Sequence, residues 1–384
     1  MYVPAGGQVK RIGRLQSGAM HNRPSRRTFL NAAAIGMTAP FSGIGAGIRG
    51  VARGYGGTPA TQGRCPGLFD LQVNGFAGVD FNDPSLTGEK VSEAAGRMQR
   101  AGVTRFLATL ISAPLDRFAA CARVLAAAST PALAGLHMEG PYISPEDGAR
   151  GAHRREDVSP PSLEDFARRQ ESAGGRIRLV TVAPEVAGVL PLIEQLVKDG
   201  VRVAIGHTAA TPQQVRDAVS AGATMSTHLG NGCAQMLPRH PNFIWEQLAA
   251  DELIAGMIVD GHHLPPATVK SMVRAKTPGR VALVTDATTA AGQPPGDYML
   301  GNVRVHLDEN GRVAVPGQPN LAGSALSLDR AVGNTVRFTG LPLDAVLAMA
   351  TTQPAAYLGE TPRGSVEYAW DPAAHQFTVT NVTV

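Results

Sequence analysis

Four residues have the types and the placement for metal-assisted hydrolysis: Glu139, His207, His228 and Asp286. Each closes an apolar, β-type run. Leu133-Ala-Gly-Leu136 leads into His137-Met-Glu139 and is stopped by Gly140-Pro141. Gly206-His207-Thr208 and Thr227-His228-Leu229 close two more runs, with the histidines 21 residues apart. That spacing is one strand–helix unit, so the two imidazoles come from adjacent strands. Asp286 follows Val281-Ala-Leu-Val-Thr285. One carboxylate and two imidazoles suit a divalent ion such as Zn2+, with one position left for water. Such an ion polarises a carbonyl and lowers the pKa of bound water. A carboxylate facing that water can take its proton and pass it to a leaving group. The competing role for Asp286 is a cap on the following helix.

These tips need a scaffold, and the chain supplies a regular one. Apolar runs recur at 68–73, 104–111, 133–138, 177–182, 201–205, 223–227, 254–259 and 281–285. Most are continuous rather than alternating, as parallel strands covered on both faces require. Segments of helical period lie between them. Helices are expected over 115–127 after Pro114, over 190–198, and over 212–220 with Thr211 as N-cap and Pro212 at the first position. Eight β-then-α units predict an α/β fold, a (β/α)8 TIM-type barrel, whose active residues sit at the C-terminal ends of the strands. Those ends carry Gln72, Asn74, Glu139, Glu185, His207, His228, Asp260 and Asp286. The barrel is expected over 65–297 and 319–360. Residues 298–318 read as a hairpin with Asn310-Gly311 at its tip. With 361–384 they would form a reduced small β appendage.

Composition narrows the function. The 384 residues are 43% hydrophobic and 17% charged, an ordinary globular balance. Aromatic residues are 5%, which argues against a base-stacking platform. The pI near 9.1 comes from the N-terminus. Residues 1–55 hold eight of the 35 Lys and Arg and no Asp or Glu, leaving 27 against 31, a net −4, so no nucleic-acid partner is expected. Cys65, Cys121 and Cys233 are too scattered for a disulfide framework or a structural zinc site. Ser25-Arg-Arg-Thr-Phe-Leu30 and the apolar stretch after it read as a twin-arginine-like leader over 1–43, with Met1 or Met20 as the start. If that signal is used the protein is periplasmic or exported; otherwise it is cytoplasmic. The stretch is too short to span a membrane stably. Residues 44–64 are Gly-rich and read as a flexible linker.

A set of short motifs then occurs in order: Leu68-Phe-Asp-Leu-Gln-Val-Asn-Gly75, Leu136-His-Met-Glu-Gly-Pro-Tyr142, Gly151-Ala-His153, Ala183-Pro-Glu185, Gly206-His-Thr208, Thr227-His-Leu229, Asp260-Gly-His-His263, Leu283-Val-Thr-Asp-Ala287 and Leu321-Ala-Gly-Ser-Ala325. The set resembles the N-acetylglucosamine-6-phosphate deacetylases, a branch of the amidohydrolase superfamily, over about residues 66–360. The resemblance implies hydrolysis of the acetamide to acetate and glucosamine 6-phosphate. It implies one divalent metal on Glu139, His207 and His228, with Zn2+ first and Fe2+, Mn2+ or Co2+ as alternatives. Asp286 would be base and then acid, and His153 would bond the acetyl carbonyl or the attacking water. Ala152, Asn231, Gly232, Arg239, His263, Leu321, Ala322 and Gly323 would contact substrate, Arg239 from the second subunit of a homodimer. Many amidohydrolases bind a second metal through His-x-His after the first strand. Gln72-Val-Asn74 stands there instead, and amides are poor ligands beside imidazole, so Gln72 and Asn74 are expected to support rather than bind. His137 is expected to pack or support. Asn231-Gly-Cys-Ala-Gln-Met236 departs from the family pattern, and Arg239 also reads as a solvated loop residue. The leader replaces the family's N-terminal strands. An exported enzyme would meet an unphosphorylated amino sugar. Hydrolysis of another amide, or a non-catalytic sugar-binding barrel, are the rival readings.

Overall fold

The computed structural model describes residues 60–384 apart from Gln235 and Pro319. The leader, and the linker up to residue 59, lie outside the described residues. Eight strands form one parallel sheet: β1 Leu68–Val73, β2 Val103–Ile111, β3 Leu133–Glu139, β4 Ile177–Val182, β5 Arg202–Ile205, β6 Met225–Ser226, β7 Ile254–Met257 and β8 Val281–Leu283. Sequence neighbours pair throughout. A parallel bridge from Val73 to Ala287 joins the first strand to the chain beyond the last. Two hydrogen bonds reinforce that seam: Asp286 N–H to the Gln72 carbonyl (2.9 Å) and Asn74 N–H to the Ala287 carbonyl (2.8 Å). All eight expected runs are therefore strands of one closed barrel. Every residue of β1 and of β2 is buried, including the polar Asp70 and Gln72, so both faces of these strands are covered.

The helices between strands follow local rules. Pro212–Ser220 opens on a capping box: Thr211 Oγ1 accepts the Gln214 N–H, and Gln214 Oε1 accepts the Thr211 N–H. Leu115–Ala127 starts after Pro114 with no side-chain cap. Among the described residues no helix is long and apolar enough to cross a membrane.

Outside the barrel the structure corrects the sequence reading. Gly296–Leu300, Val303–Leu307 and Val313–Ala314 make a three-stranded antiparallel meander, not one hairpin. Gly301-Asn302 forms its first turn, and Asn310-Gly311 falls in the second. Its buried Leu300, Val305, Leu307 and Val313 pack with Ile111, Ala290 and Ala322 as a separate small core. The C-terminal hairpin, Ser365–Asp371 and Gln376–Thr383, belongs to another sheet. That sheet takes Thr61–Pro66 as its third strand, so the flexible linker does not extend through residue 64 and an N-terminal strand is present. The strand was hard to read because Cys65 is its one buried residue. Backbone pairing along Ser365–Asp371 holds it, and pairing leaves no apolar period in the sequence.

Candidate active site

A cavity of about 440 Å3 has Asn74, Glu139, His207, His228 and Asp286, the tips of five barrel segments, in its wall. Glu139 ends β3. Its Oε1 lies 3.1 Å from His207 Nε2 and 3.0 Å from His228 Nε2, and the two Nε2 atoms are 3.0 Å apart. His207 Nδ1 is 3.0 Å from the Ala149 carbonyl, which can only accept. Nδ1 is therefore the donor to that carbonyl, and Nε2 is the nitrogen turned toward Glu139 and His228. Two imidazole nitrogens and a carboxylate oxygen converging on one point cannot satisfy one another by hydrogen bonds alone. They fit a divalent cation, and they form the one such donor group among the described residues. Burial works against the charged form of Glu139, yet the two imidazoles hold it well below the ordinary carboxylate range.

The backbone at these tips is strained. His207, His228 and Asp286 have φ of +49°, +29° and +50°, the left-handed region that non-glycine residues rarely enter. Each such residue costs on the order of 1–3 kcal/mol and persists where its surroundings over-determine it. At β8 the regular ladder ends at Leu283 and the chain turns at Asp286. Glu185 ties down the turn after His207 by accepting the Thr208 hydroxyl and the Ala209 N–H (2.6 Å). It does not line the cavity.

Asp286 Oδ1 accepts from Asn74 Nδ2 (2.6 Å) and Gln72 Nε2 (3.1 Å). Gln72 Nε2 also donates to Glu139 Oε1 at 3.0 Å. Both partners of that nitrogen are carboxylates, which fixes the amide with its NH2 group between them. Burial, helped by the charge of Glu139, pushes Asp286 up to about 8. His153 Nδ1 accepts the Ser112 N–H at 3.3 Å and lies 2.9 Å from Ser112 Oγ. Burial pushes its pKa down to about 3, so the ring is neutral and carries its proton on Nε2. The ring sits edge-on to His207, centroids 4.4 Å apart.

Ala152, Asn231, Gly232, His263, Leu321, Ala322 and Gly323 also line the cavity. A Cβ on Gly232 (φ +55°) would sit 2.8 Å from His207 Nδ1 and 3.1 Å from His228 Cε1, so only glycine lets this backbone lie against both rings. His263 Nδ1 is 2.7 Å from Asp260 Oδ2, and Asp260 Oδ1 accepts the His262 and His263 N–H groups. Burial opposes the charge on Asp260, but His263 keeps its carboxyl below the usual range. Arg239 is not brought to the cavity of its own chain. It lies exposed, its carbonyl accepting Trp245 Nε1, while Leu237 two residues earlier turns inward.

Sequence reasoning missed several contributors. Ser112 is the first residue past β2, a strand-end polar position that its commonness hid. Asp260 was visible as a strand-end carboxylate but not as the partner of His263. Ile111, Leu237, Ile244 and Leu300 form an apolar wall that no motif marks.

The amidohydrolase family model matches residues 65–371. The chain belongs to the amidohydrolase family. It is 32% identical over 314 residues to the N-acetylglucosamine-6-phosphate deacetylase of Lysinibacillus sphaericus, covering 80% of each chain. It is 34% identical over 300 residues to the N-acetylgalactosamine-6-phosphate deacetylase of Escherichia coli O157:H7, covering 77% of this chain and 78% of the other. The crystal structure of N-acetyl-D-glucosamine-6-phosphate deacetylase from Mycobacterium smegmatis superposes with a TM-score of 0.77 at 30% identity, covering 84% and 86%. Amidohydrolases typically use divalent metal, in keeping with the Glu139, His207 and His228 group.

Proposed function

We propose that this amidohydrolase removes the acetyl group of N-acetylglucosamine 6-phosphate, giving acetate and glucosamine 6-phosphate. The observation that carries the reading is the convergence of Glu139, His207 and His228 beside Asp286, on a barrel shared with relatives named for such deacetylations. Glu139 Oε1 and the two Nε2 atoms would hold one divalent ion, Zn2+ first and Fe2+, Mn2+ or Co2+ next. When bound, that ion would polarise the acetyl carbonyl and lower the pKa of water. The Gln72 amide donor occupies the space between Glu139 and Asp286 where a second cation would need an acceptor, so one tightly held ion is proposed.

The chain's own groups then divide the work. Asp286 takes a proton from the attacking water and delivers it to the amine nitrogen as the C–N bond breaks. Asn74 and Gln72 aim its carboxylate. Neutral His153 donates from Nε2 to the carbonyl oxygen as negative charge grows there. Asn231, Gly232, His263 and the Leu321–Gly323 strip hold the sugar and its phosphate.

One observation favours a second reading. Among the described residues lining the cavity there is no Lys or Arg. A phosphate would meet His263 and neutral donors from one chain, and a guanidinium would have to come from Arg239 of a second copy. We therefore propose a homodimer for the phosphate substrate, and an unphosphorylated N-acetyl amino sugar as the alternative. Acetate release from both sugars, with Arg239→Ala and His263→Ala, tests this. Undiminished activity of both variants on the phosphate form would sink the phosphate assignment. We also propose export through the Ser25–Leu30 signal; equal periplasmic signal from the native chain and Arg26→Lys/Arg27→Lys on a fractionation blot would reject it.

A further inference from the structure

Asp70 is a buried carboxylate that the chemistry above does not use, and it forms no ion pair among the described residues. Asp70, Gln72 and Asn74 fall at i, i+2 and i+4 along β1 and its end, so they share the face turned to the barrel interior. Gln72 and Asn74 reach the Asp286 carboxylate. Asp70, one layer below, reaches the residue before it. Its Oδ2 accepts the Thr285 hydroxyl at 2.6 Å, and its Oδ1 accepts the Thr285 and Gln72 N–H groups, each at 3.2 Å. Burial pushes its carboxyl up to about 7 despite these three bonds.

Directly above, Asp286 sits at φ +50°. The chain is pinned on both sides of it. The Thr285 carbonyl accepts Ser324 Oγ–H at 2.6 Å. The Asp286 N–H donates to the Gln72 carbonyl, and the Asp286 carbonyl accepts the Ser324 N–H at 2.8 Å. The Ala287 carbonyl accepts the N–H groups of Asn74 and Gly75. Thr285 Oγ1 is the joint of this clamp. It donates to Asp70 and accepts the Ala287 N–H at 3.2 Å, so it spans the left-handed residue. A strained residue keeps its conformation only where several such contacts agree. Asp70 fixes the direction of that hydroxyl, and with it the span.

We propose that Asp70 is a positioning residue for turnover: through Thr285 it holds Asp286 in the left-handed conformation that aims its carboxylate into the cavity. The proposal rests on the reading of Asp286 as the base. It differs from a general packing role because its bonds go to Thr285 and to the Gln72 backbone, and Thr285 sets the orientation of the Asp286 carboxylate. The three metal donors Glu139, His207 and His228 stand on other strands.

The test uses the full chain, reconstituted with metal, as Asp70→Ala, Asp70→Asn and Thr285→Val, with Asp286→Asn as reference. Misplacing a catalytic group by about 1 Å costs on the order of a hundredfold. Asp70→Ala and Thr285→Val should therefore lower kcat about tenfold to a hundredfold. KM and bound metal per chain should stay unchanged. Asp70→Asn keeps an oxygen for the two N–H groups but presents an NH2 donor where Oδ2 accepts the Thr285 hydroxyl, so it reverses that bond and should lower kcat in the same way. If Asp70→Ala does not fold, Thr285→Val, which preserves volume, decides alone. Wild-type kcat in Thr285→Val would overturn the proposal, as would a fall in kcat matched by loss of metal or a rise in KM. Normal turnover in Asp286→Asn would instead reject Asp286 as base, an outcome distinct from failure of the clamp.

Discussion

Asp286→Asn separates chemistry from architecture because almost everything except the proton survives the change. Asn74 Nδ2 at 2.6 Å and Gln72 Nε2 at 3.1 Å both donate to Asp286 Oδ1, and an asparagine oxygen accepts them equally. At φ +50° most side chains would add strain, but Asn is among the residues that enter the left-handed region most readily. Burial and the charge of Glu139 raise the Asp286 carboxyl to about 8 with no ion beside it, and a cation bound at Glu139 would draw it back toward the range where a carboxylate takes a proton from water around neutrality. The fold and the metal-donor group should therefore persist, while general acid–base catalysis, typically about 10²–10⁴-fold, is lost. That is a barrier increase of about 3–5 kcal/mol. Steady-state acetate release, with metal content and a thermal melt on the same sample, measures it. Turnover within tenfold of wild type in a folded, metal-loaded Asp286→Asn would refute the assignment of the base.

Three further outcomes follow from particular contacts. Gly232→Ala puts a Cβ 2.8 Å from His207 Nδ1 at φ +55°, so metal affinity should fall about 10–100-fold by competition with a chelator, and the melt of the metal-free protein should fall as well. Glu360→Ala strips both Arg105 and Arg178 of their shared carboxylate in a largely buried setting, and should cost about 3–5 kcal/mol in denaturant unfolding while kcat holds. Asp80 is pushed by burial to about 6 from an ordinary 3.8, so its folded pKa is the higher one. Its contribution to stability is full below about pH 4 and is lost as pH rises through about 6. Asp80→Asn gives up one of the two N–H bonds the carboxylate accepts, but its stability relative to wild type should still rise by about 1.4 kcal/mol between pH 5 and pH 7.5; a constant difference across that range would count against the burial argument.

The barrel was legible because parallel strands covered on both faces leave largely apolar runs, as Phe106–Ile111 and Leu179–Val182 do. Glu139, His207 and His228 were legible because each ligand-type side chain ends such a run. What stayed hidden has physical causes. The strand Thr61–Pro66 is held by backbone pairing, which leaves no side-chain period. The left-handed turns at His207, His228 and Asp286 occur in residue types that enter that region more readily than most, but only rarely, so type alone does not place them. Ser112 under His153 and Asp70 under Thr285 act through contacts made across 41 and 215 residues of chain, which no local pattern encodes. The meander over residues 296–314 was half-read because Gly301-Asn302 and Asn310-Gly311 are both turn sequences, and only packing against Ile111 and Ala322 decides that both are used.

The central claim is that one metal held by Glu139, His207 and His228 serves deacetylation of an amino sugar phosphate. The most direct measurement is acetate release from N-acetylglucosamine 6-phosphate by chelated protein titrated with a divalent ion. The prediction is activity that rises linearly and saturates at one ion per chain, with equimolar acetate and glucosamine 6-phosphate, and no such rise in Glu139→Gln. Saturation at two ions, or no acetate at any metal loading, would contradict it.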